Sequence, residues 1–342
     1  MNDSKILRME LGDDSYDIVI ERGAIHRAKE LLNLNRKVMI VTDDGVPEEY
    51  ADEVADMAVE GTVFTVPQGE SSKELGWYRA ILTQMLKCDF SRRDCVVAVG
   101  GGVVGDLAGF VAASYMRGID FYNIPTTVLS QVDSSIGGKT GVNLNGIKNI
   151  VGAFHQPKKV IIDLDLLDTL TTRQINNGLA EAVKAGLTSD PELFAIFERG
   201  DAMKNIDEIV LRSLMMKKDV VEQDEKEQGL RKILNFGHTI GHAVESYCRL
   251  NQLYHGECVA LGMIPMVSEE LRPRLINVLK SLNLPTSYKL NSEEVLDAMM
   301  HDKKGEGNTV VITTVDEPGH FEMKSVAYDE LLPLIRMIGK EA

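Results

Sequence analysis

The segment Val99-Gly100-Gly101-Gly102-Val103-Val104-Gly105-Asp106 constrains the fold of this chain more than any other stretch. It follows an apolar run over 95–99 and opens a helix-like run over 107–116. Glycines at 100, 102 and 105 match G-x-G-x-x-G, a spacing that lets backbone approach a pyrophosphate while a helix N-terminus offers free amides to its oxygens. Such a turn needs a parallel sheet with helices on its faces, and the surrounding chain agrees. Strand-like runs at 6–11 and 16–20 flank Gly12-Asp13-Asp14 as a hairpin, and runs at 37–42, 62–66, 95–99, 121–124 and 159–163 alternate with helical segments at 48–60 and 75–87. The turn falls late in this order, so a variant of the common dinucleotide domain is expected. From about residue 166, helical periods take over at 178–187, 206–224, 239–249, 271–282 and 292–300, with a brief extended return at 309–313. Pro265 should end or kink a helix within 259–267. The expectation is an α/β chain: a dinucleotide-binding, Rossmann-like parallel-sheet domain over 1–165, then a mainly α-helical domain over 166–342.

With 342 residues the chain is long enough for two cores. A hydrophobic share of 44% beside 26% charged residues is that of a globular protein. Acidic residues outnumber basic ones 52 to 37, and the net charge of -15 argues against nucleic acid or an anionic membrane as partner. An anionic substrate then needs a local basic pocket. Neither a signal-peptide pattern nor a bilayer-spanning run is visible, so a cytoplasmic protein is expected. Cys88, Cys95, Cys248 and Cys258 lack C-x-x-C spacing, which indicates neither a disulfide framework nor a cysteine zinc cluster.

Three segments in the second half carry metal-ligand chemistry: Ala180-Glu181-Ala182-Val183-Lys184, Asn235-Phe236-Gly237-His238-Thr239-Ile240-Gly241-His242, and His255-Gly256-Glu257. His238 and His242 share one helix face at i, i+4, but Thr239 stands where H-E-x-x-H requires glutamate. Glu181 with two of the three histidines makes a carboxylate–imidazole set of the kind that holds a catalytic zinc with a position left open. Spacing alone does not say which histidine stands apart. Gly137-Gly138-Lys139-Thr140 resembles the end of a P-loop, but Asp133 occupies the position of its first glycine, so an ATP-cradling loop is rejected. Lys139 and Lys148 remain candidates for capturing phosphate or carboxylate.

These blocks, with Pro67-Gln68-Gly69-Glu70 and Lys73, Tyr115-Met116-Arg117-Gly118, the run from Pro125 through Asp133 to Thr140, Gly146-Ile147-Lys148-Asn149, Gly152-Ala153-Phe154-His155-Gln156-Pro157 and Asp224-Glu225-Lys226-Glu227, resemble the 3-dehydroquinate synthase family of sugar phosphate cyclases. The resemblance is densest between 67 and 262. It implies NAD and a divalent metal, zinc or cobalt, as cofactors, a small phosphorylated sugar-acid substrate, and a homodimer. Metal ligation carries over to Glu181, His238 and His255, and His242 becomes a group near the substrate. NAD contacts carry over to Asp44, Glu70, Lys73, Gly102, Asp106, Thr126, Thr127, Lys139, Lys148 and Thr169. Substrate contacts carry over to Asp133, Lys139, Asn149, Lys184, Lys217, Arg231, Asn235, His242 and Lys303, with Arg117 supplied to the phosphate pocket from a partner subunit. The segment 172–177 and Pro265 depart from the family pattern.

The reaction so implied converts 3-deoxy-D-arabino-heptulosonate 7-phosphate to 3-dehydroquinate and phosphate, in the shikimate pathway of aromatic amino acid biosynthesis. It proceeds by transient NAD-dependent oxidation, phosphate elimination, reduction and aldol closure. A sister cyclase making an inosose or valiolone shares the nucleotide and metal motifs. Planar Arg231 beside Asn235 and Lys139 favours a substrate carboxylate instead. A metal-dependent alcohol dehydrogenase leaves Arg117, Lys148 and Lys184 without a purpose, and a catalytically dead NAD sensor has no need of Glu181, His238 and His255.

Overall fold

The computed structural model describes residues 4–248, 252–302 and 308–340. Its strands β1 (Lys5–Met9), β2 (Tyr16–Ile20), β3 (Lys37–Asp43), β4 (Glu60–Val66), β5 (Cys95–Gly100), β6 (Asp120–Pro125) and, after the separate hairpin β7 (Lys139–Leu144) and β8 (Ile147–Phe154), β9 (Lys159–Ile162) mark out the first half. Seven of them form one sheet in the order β1-β2-β9-β6-β5-β3-β4. Only β1 and β2 pair antiparallel in it; the other neighbours are parallel. Helices α1 (Ala28–Leu31), α2 (Glu48–Asp56), α3 (Leu75–Lys87) and α4 (Gly102–Ser114) supply the connections.

The parity of a strand explains why β3 and β5 read as unbroken apolar runs. Met39, Val41, Val96 and Ala98 enter one apolar layer with Ile81, Leu107 and Val111. Their neighbours Val38, Ile40, Cys95, Val97 and Val99 enter another with Ile25, Val54 and Ile161. A strand buried on both faces has no polar side to alternate with.

The chain divides into two compact units, Met1–Leu170 and Thr171–Ala342. The second contains α5 (Thr172–Thr188), α6 (Pro191–Glu198), α7 (Ile206–Gln223), α8 (His238–Tyr247), α9 (His255–Met263), α10 (Arg272–Ser281), α11 (Ser292–Asp302) and α12 (Leu332–Arg336). Short strands β10 (Tyr288–Lys289) and β13 (Gly339–Lys340) pair with each other, and β11 (Thr309–Glu317) pairs antiparallel with β12 (His320–Ala327). The extended return expected at 309–313 is thus one arm of a two-stranded ribbon. Helix α9 stops at Met263, just before the 3-10 turn Ile264–Met266 that carries Pro265. Among the described residues, no helix is long and apolar enough to cross a membrane.

Candidate metal centre and nucleotide segment

Helix α5 starts at a capping box, in which the Thr171 side chain accepts the Gln174 N–H and Gln174 reaches back to the Thr171 N–H. Three turns on, it presents Glu181 and Lys184, whose side chains are 1% and 3% exposed and whose charged atoms lie 2.5 Å apart. Lys184 Nζ also donates to the Leu234 carbonyl at 2.8 Å. Helix α8 brings His238 and His242 to one face, and His255 opens α9.

These helices converge on one carboxylate oxygen. Glu181 Oε1 lies 3.4 Å from His238 Nε2 and 3.2 Å from His255 Nε2. His238 Nδ1 is 3.1 Å from the Phe236 carbonyl, which can only accept, so this nitrogen carries the proton and Nε2 is bare. A bare ring nitrogen and a carboxylate oxygen repel unless a cation lies between them. Neither Glu181 oxygen, both buried, receives a well-directed hydrogen bond from the protein. The three imidazoles offer nitrogens that all lie within 4.8 Å of one another. One buried carboxylate and converging Nε2 atoms fit a divalent ion such as zinc, with a position left for substrate.

The electrostatics agree with this fit. Burial outweighs the attraction of Glu181 and pushes His238 down to about 3, so it is neutral and ready to ligate at neutral pH. Burial also disfavours charge on Glu181, but Lys184 and His255 overcome it and hold the carboxyl well below the usual range. At His255 burial is overcome by Glu181 and Glu245, which raise it to about 9. A metal ion displaces the second proton of such an imidazole.

Glu245 was not among the residues singled out from sequence. Its Oε2 lies 3.5 Å from His255 Nδ1, and its side chain is 8% exposed. The signal was present, since His238, His242 and Glu245 follow the i, i+4, i+7 rhythm of one helix face. A carboxylate behind a ligating histidine orients the ring and raises its basicity. Glu245→Ala is therefore expected to weaken metal affinity by about 10- to 100-fold, measured by competition with a chromophoric chelator. Unchanged affinity would detach Glu245 from the centre.

The segment 172–177, read as divergent, anchors His255. Arg173 makes a two-point contact with Glu257, at 2.7 and 2.8 Å, and its guanidinium lies 4.1 Å from the Tyr254 ring centroid. Asn177 Oδ1 accepts the Gly256 N–H at 2.6 Å. Both contacts tie the first turn of α9 to α5.

Of the proposed substrate contacts in this unit, Lys217 lies on α7 and is 7% exposed. Asn235 Nδ2 donates to Glu227 at 3.0 Å. Arg231 is 1% exposed and its Nη1 donates to the Glu225 carbonyl at 2.5 Å. Lys303 lies outside the described residues.

The other predicted residues belong to the first unit. Gly101 caps α4, Gly102 begins it and Asp106 lies one turn in, where Lys73, 5% exposed, forms an ion pair with it. A Cβ on Gly102 would sit 2.9 Å from Ser134 Oγ, so a side chain at this helix start requires the Ser134 hydroxyl to shift. The Thr126 N–H donates to the Gly100 carbonyl at 2.9 Å, and the hydroxyls of Thr127 and Ser130 are 2.7 Å apart. Asp44 accepts the Gln68 N–H at 2.6 Å, Glu70 opens the 3-10 turn Glu70–Ser72, and Thr169 closes the turn Leu164–Thr169. Asp133 lies in the π-helical turn Ser130–Ser134, Arg117 is exposed on Tyr115–Arg117 with φ +73°, and Lys139, Lys148 and Asn149 lie on β7 and β8.

Comparison with known proteins agrees with this geometry. A family model described as 3-dehydroquinate synthase N-terminal matches residues 63–177, and one described as 3-dehydroquinate synthase C-terminal matches 178–305. The chain is 39% identical to a 3-dehydroquinate synthase of Streptococcus suis over 97% of this chain and 99% of that protein. A solved 2-epi-5-epi-valiolone synthase from Streptomyces hygroscopicus, with NAD⁺ and Zn²⁺ bound, matches with a TM-score of 0.86 at 26% identity, covering 96% of this chain and 98% of that one. A 2-deoxy-scyllo-inosose synthase complexed with carbaglucose-6-phosphate, NAD⁺ and Co²⁺ shares the fold with a TM-score of 0.87 at 23% identity, covering 97% and 99%. On two adjoining family matches and near-full-length identity, the chain belongs to the 3-dehydroquinate synthase family.

Proposed function

We infer that this chain converts 3-deoxy-D-arabino-heptulosonate 7-phosphate to 3-dehydroquinate and phosphate, using NAD and a divalent metal. The observation that carries the reading is the convergence of Glu181, His238 and His255 on one point, in a chain so similar along its length to 3-dehydroquinate synthases. Identity to the valiolone synthase is lower, which favours this reaction over that of a sister cyclase.

A bound divalent metal would supply Lewis acidity toward a substrate hydroxyl, and bound NAD would supply a reversible hydride acceptor. The chain holds the ion with Glu181, His238 and His255, while exposed His242 on the same helix face is placed to exchange a proton with substrate. Asp44, Glu70, Lys73, Gly102, Asp106, Thr126, Thr127, Lys139, Lys148 and Thr169 hold the dinucleotide. Asp133, Lys139, Asn149, Lys184, Lys217 and Asn235 orient the sugar acid, and Lys303 is assigned to it by the family motif alone. Arg231 joins them, with Nη1 held by the Glu225 carbonyl. The substrate phosphate accepts the proton of its own elimination, so the protein acts mainly by positioning. A homodimer in which Arg117 serves the second copy's phosphate site is part of the proposal. So is a cytoplasmic setting.

Purified protein incubated with the heptulosonate phosphate, NAD⁺ and Zn²⁺ or Co²⁺ is expected to release phosphate and form the cyclic product in equal amounts. Release without cyclisation, or turnover of glucose 6-phosphate instead, would reject the assignment.

A further inference from the structure

Asn143 lies on β7 where the pairing with β8 shifts register, between Val142 and Leu144. Its backbone N–H, released from the ladder, donates to the Lys73 carbonyl at 2.7 Å, and its backbone forms a parallel bridge with Glu74. Its side chain is 8% exposed in the residue as a whole and is satisfied on both sides. Nδ2 donates to Glu70 Oε1 at 2.8 Å, and Oδ1 accepts the Asn149 N–H at 2.9 Å. The two partners fix the orientation of the amide, because a carboxylate only accepts and a backbone N–H only donates. Asn149 itself has φ +55°, a conformation that asparagine tolerates better than most residues.

We propose that Asn143 is a positioning residue that holds the nucleotide-binding turn at Glu70 and Lys73 and the substrate-binding residue Asn149 in one register. The inference rests on the roles assigned to those residues above. One buried amide serves both binding segments, and its two hydrogen-bonding arms are chemically opposite. A donor arm faces the nucleotide turn, and an acceptor arm faces the substrate strand. Removing the amide loosens both, whereas changing its polarity loosens one.

Asn143→Ala is expected to raise both the Kd for NAD⁺, measured by equilibrium dialysis, and the KM for the heptulosonate phosphate by about tenfold, the usual loss when a hydrogen bond to a charged or buried group is broken. Asn143→Asp keeps the acceptor for Asn149 but sets a second carboxylate against Glu70. NAD⁺ binding should then weaken about tenfold with a smaller change in KM. In a Glu70→Gln background the new carboxylate has an amide donor to meet, so the Asn143→Asp loss in NAD⁺ affinity should largely vanish. A merely structural residue gives the same loss in both backgrounds, and that additivity, or equal effects of Asn143→Asp on Kd and KM, would overturn the proposal. A wild-type protein that binds NAD⁺ without turning over the heptulosonate phosphate would instead refute the reaction, leaving the NAD⁺ cycle to decide the role of Asn143.

Discussion

Glu181→Gln is expected to strip the metal from the protein and to lower turnover by more than about 100-fold, the upper range seen when only an outer partner of a metal ligand is removed. Glutamine has the same shape, so the loss reports charge and lone pairs rather than volume. Two consequences follow from the burial of this carboxylate beside Lys184, with side chains 1% and 3% exposed. The oxygen that His238 and His255 share no longer carries the charge that draws a divalent ion between them. Lys184 also becomes a buried cation without its partner, and breaking such a pair costs about 3–5 kcal/mol. Metal analysis, thermal unfolding and dialysis against NAD⁺ separate these effects. The variant should be metal-poor and less stable yet still bind NAD⁺, because the proposed nucleotide contacts lie in the other unit. Full activity with no bound metal would remove Glu181 from the ligand set.

Gly262→Ala should be nearly as damaging, although residue 262 is not itself a proposed ligand. A Cβ there would sit 1.9 Å from the Gly237 carbonyl oxygen and 2.8 Å from the Gly241 nitrogen, where α9 crosses the start of α8. Both obstacles are backbone, so the helices must separate. Gly256 is in the same position at the other end of α9, 1.9 Å from the Asn177 carbonyl oxygen of α5. Overpacking of this kind costs about 1–3 kcal/mol or more. Because His238 and His255 lie on the helices forced apart, metal stoichiometry should fall along with the unfolding temperature. Gly76→Ala in α3, where nothing lies within 4 Å of the added carbon, is the control and should be neutral or slightly stabilising. If Gly262→Ala unfolds like the control and keeps its metal, the close crossing does not set the histidine geometry.

Much of the first unit was readable because local physics dictates it. Helix α3 runs over the 75–87 interval expected from its apolar period, and β3 and β5 stand where continuous apolar runs demanded strands buried on both faces. Helix α4 begins at Gly102 rather than 107, because the glycine turn is itself the helix start. The hairpin β7–β8 was missed, its lysines being weighed for phosphate or carboxylate capture and not for strand pairing. The clue was Asn145-Gly146 between the paired Leu144 and Ile147, with φ +53° and +81°, as a two-residue turn with positive φ at both positions requires. Glycines on either side obscured the alternation of the strands. Strand β12 was missed as well, since its residues are largely exposed and supply no apolar face to detect.

The residue types of the candidate metal site, and the sharing of one helix face by His238 and His242, were set by the sequence alone, because covalent spacing on a helix fixes which side chains are neighbours. That Glu181 meets both His238 and His255, that Glu245 backs His255, and that Arg231 bonds the Glu225 carbonyl were decided only in three dimensions. Those contacts join α5, α8, α9 and the loop before α8, and the angle and distance between such elements come from side-chain and backbone packing, which no local spacing encodes.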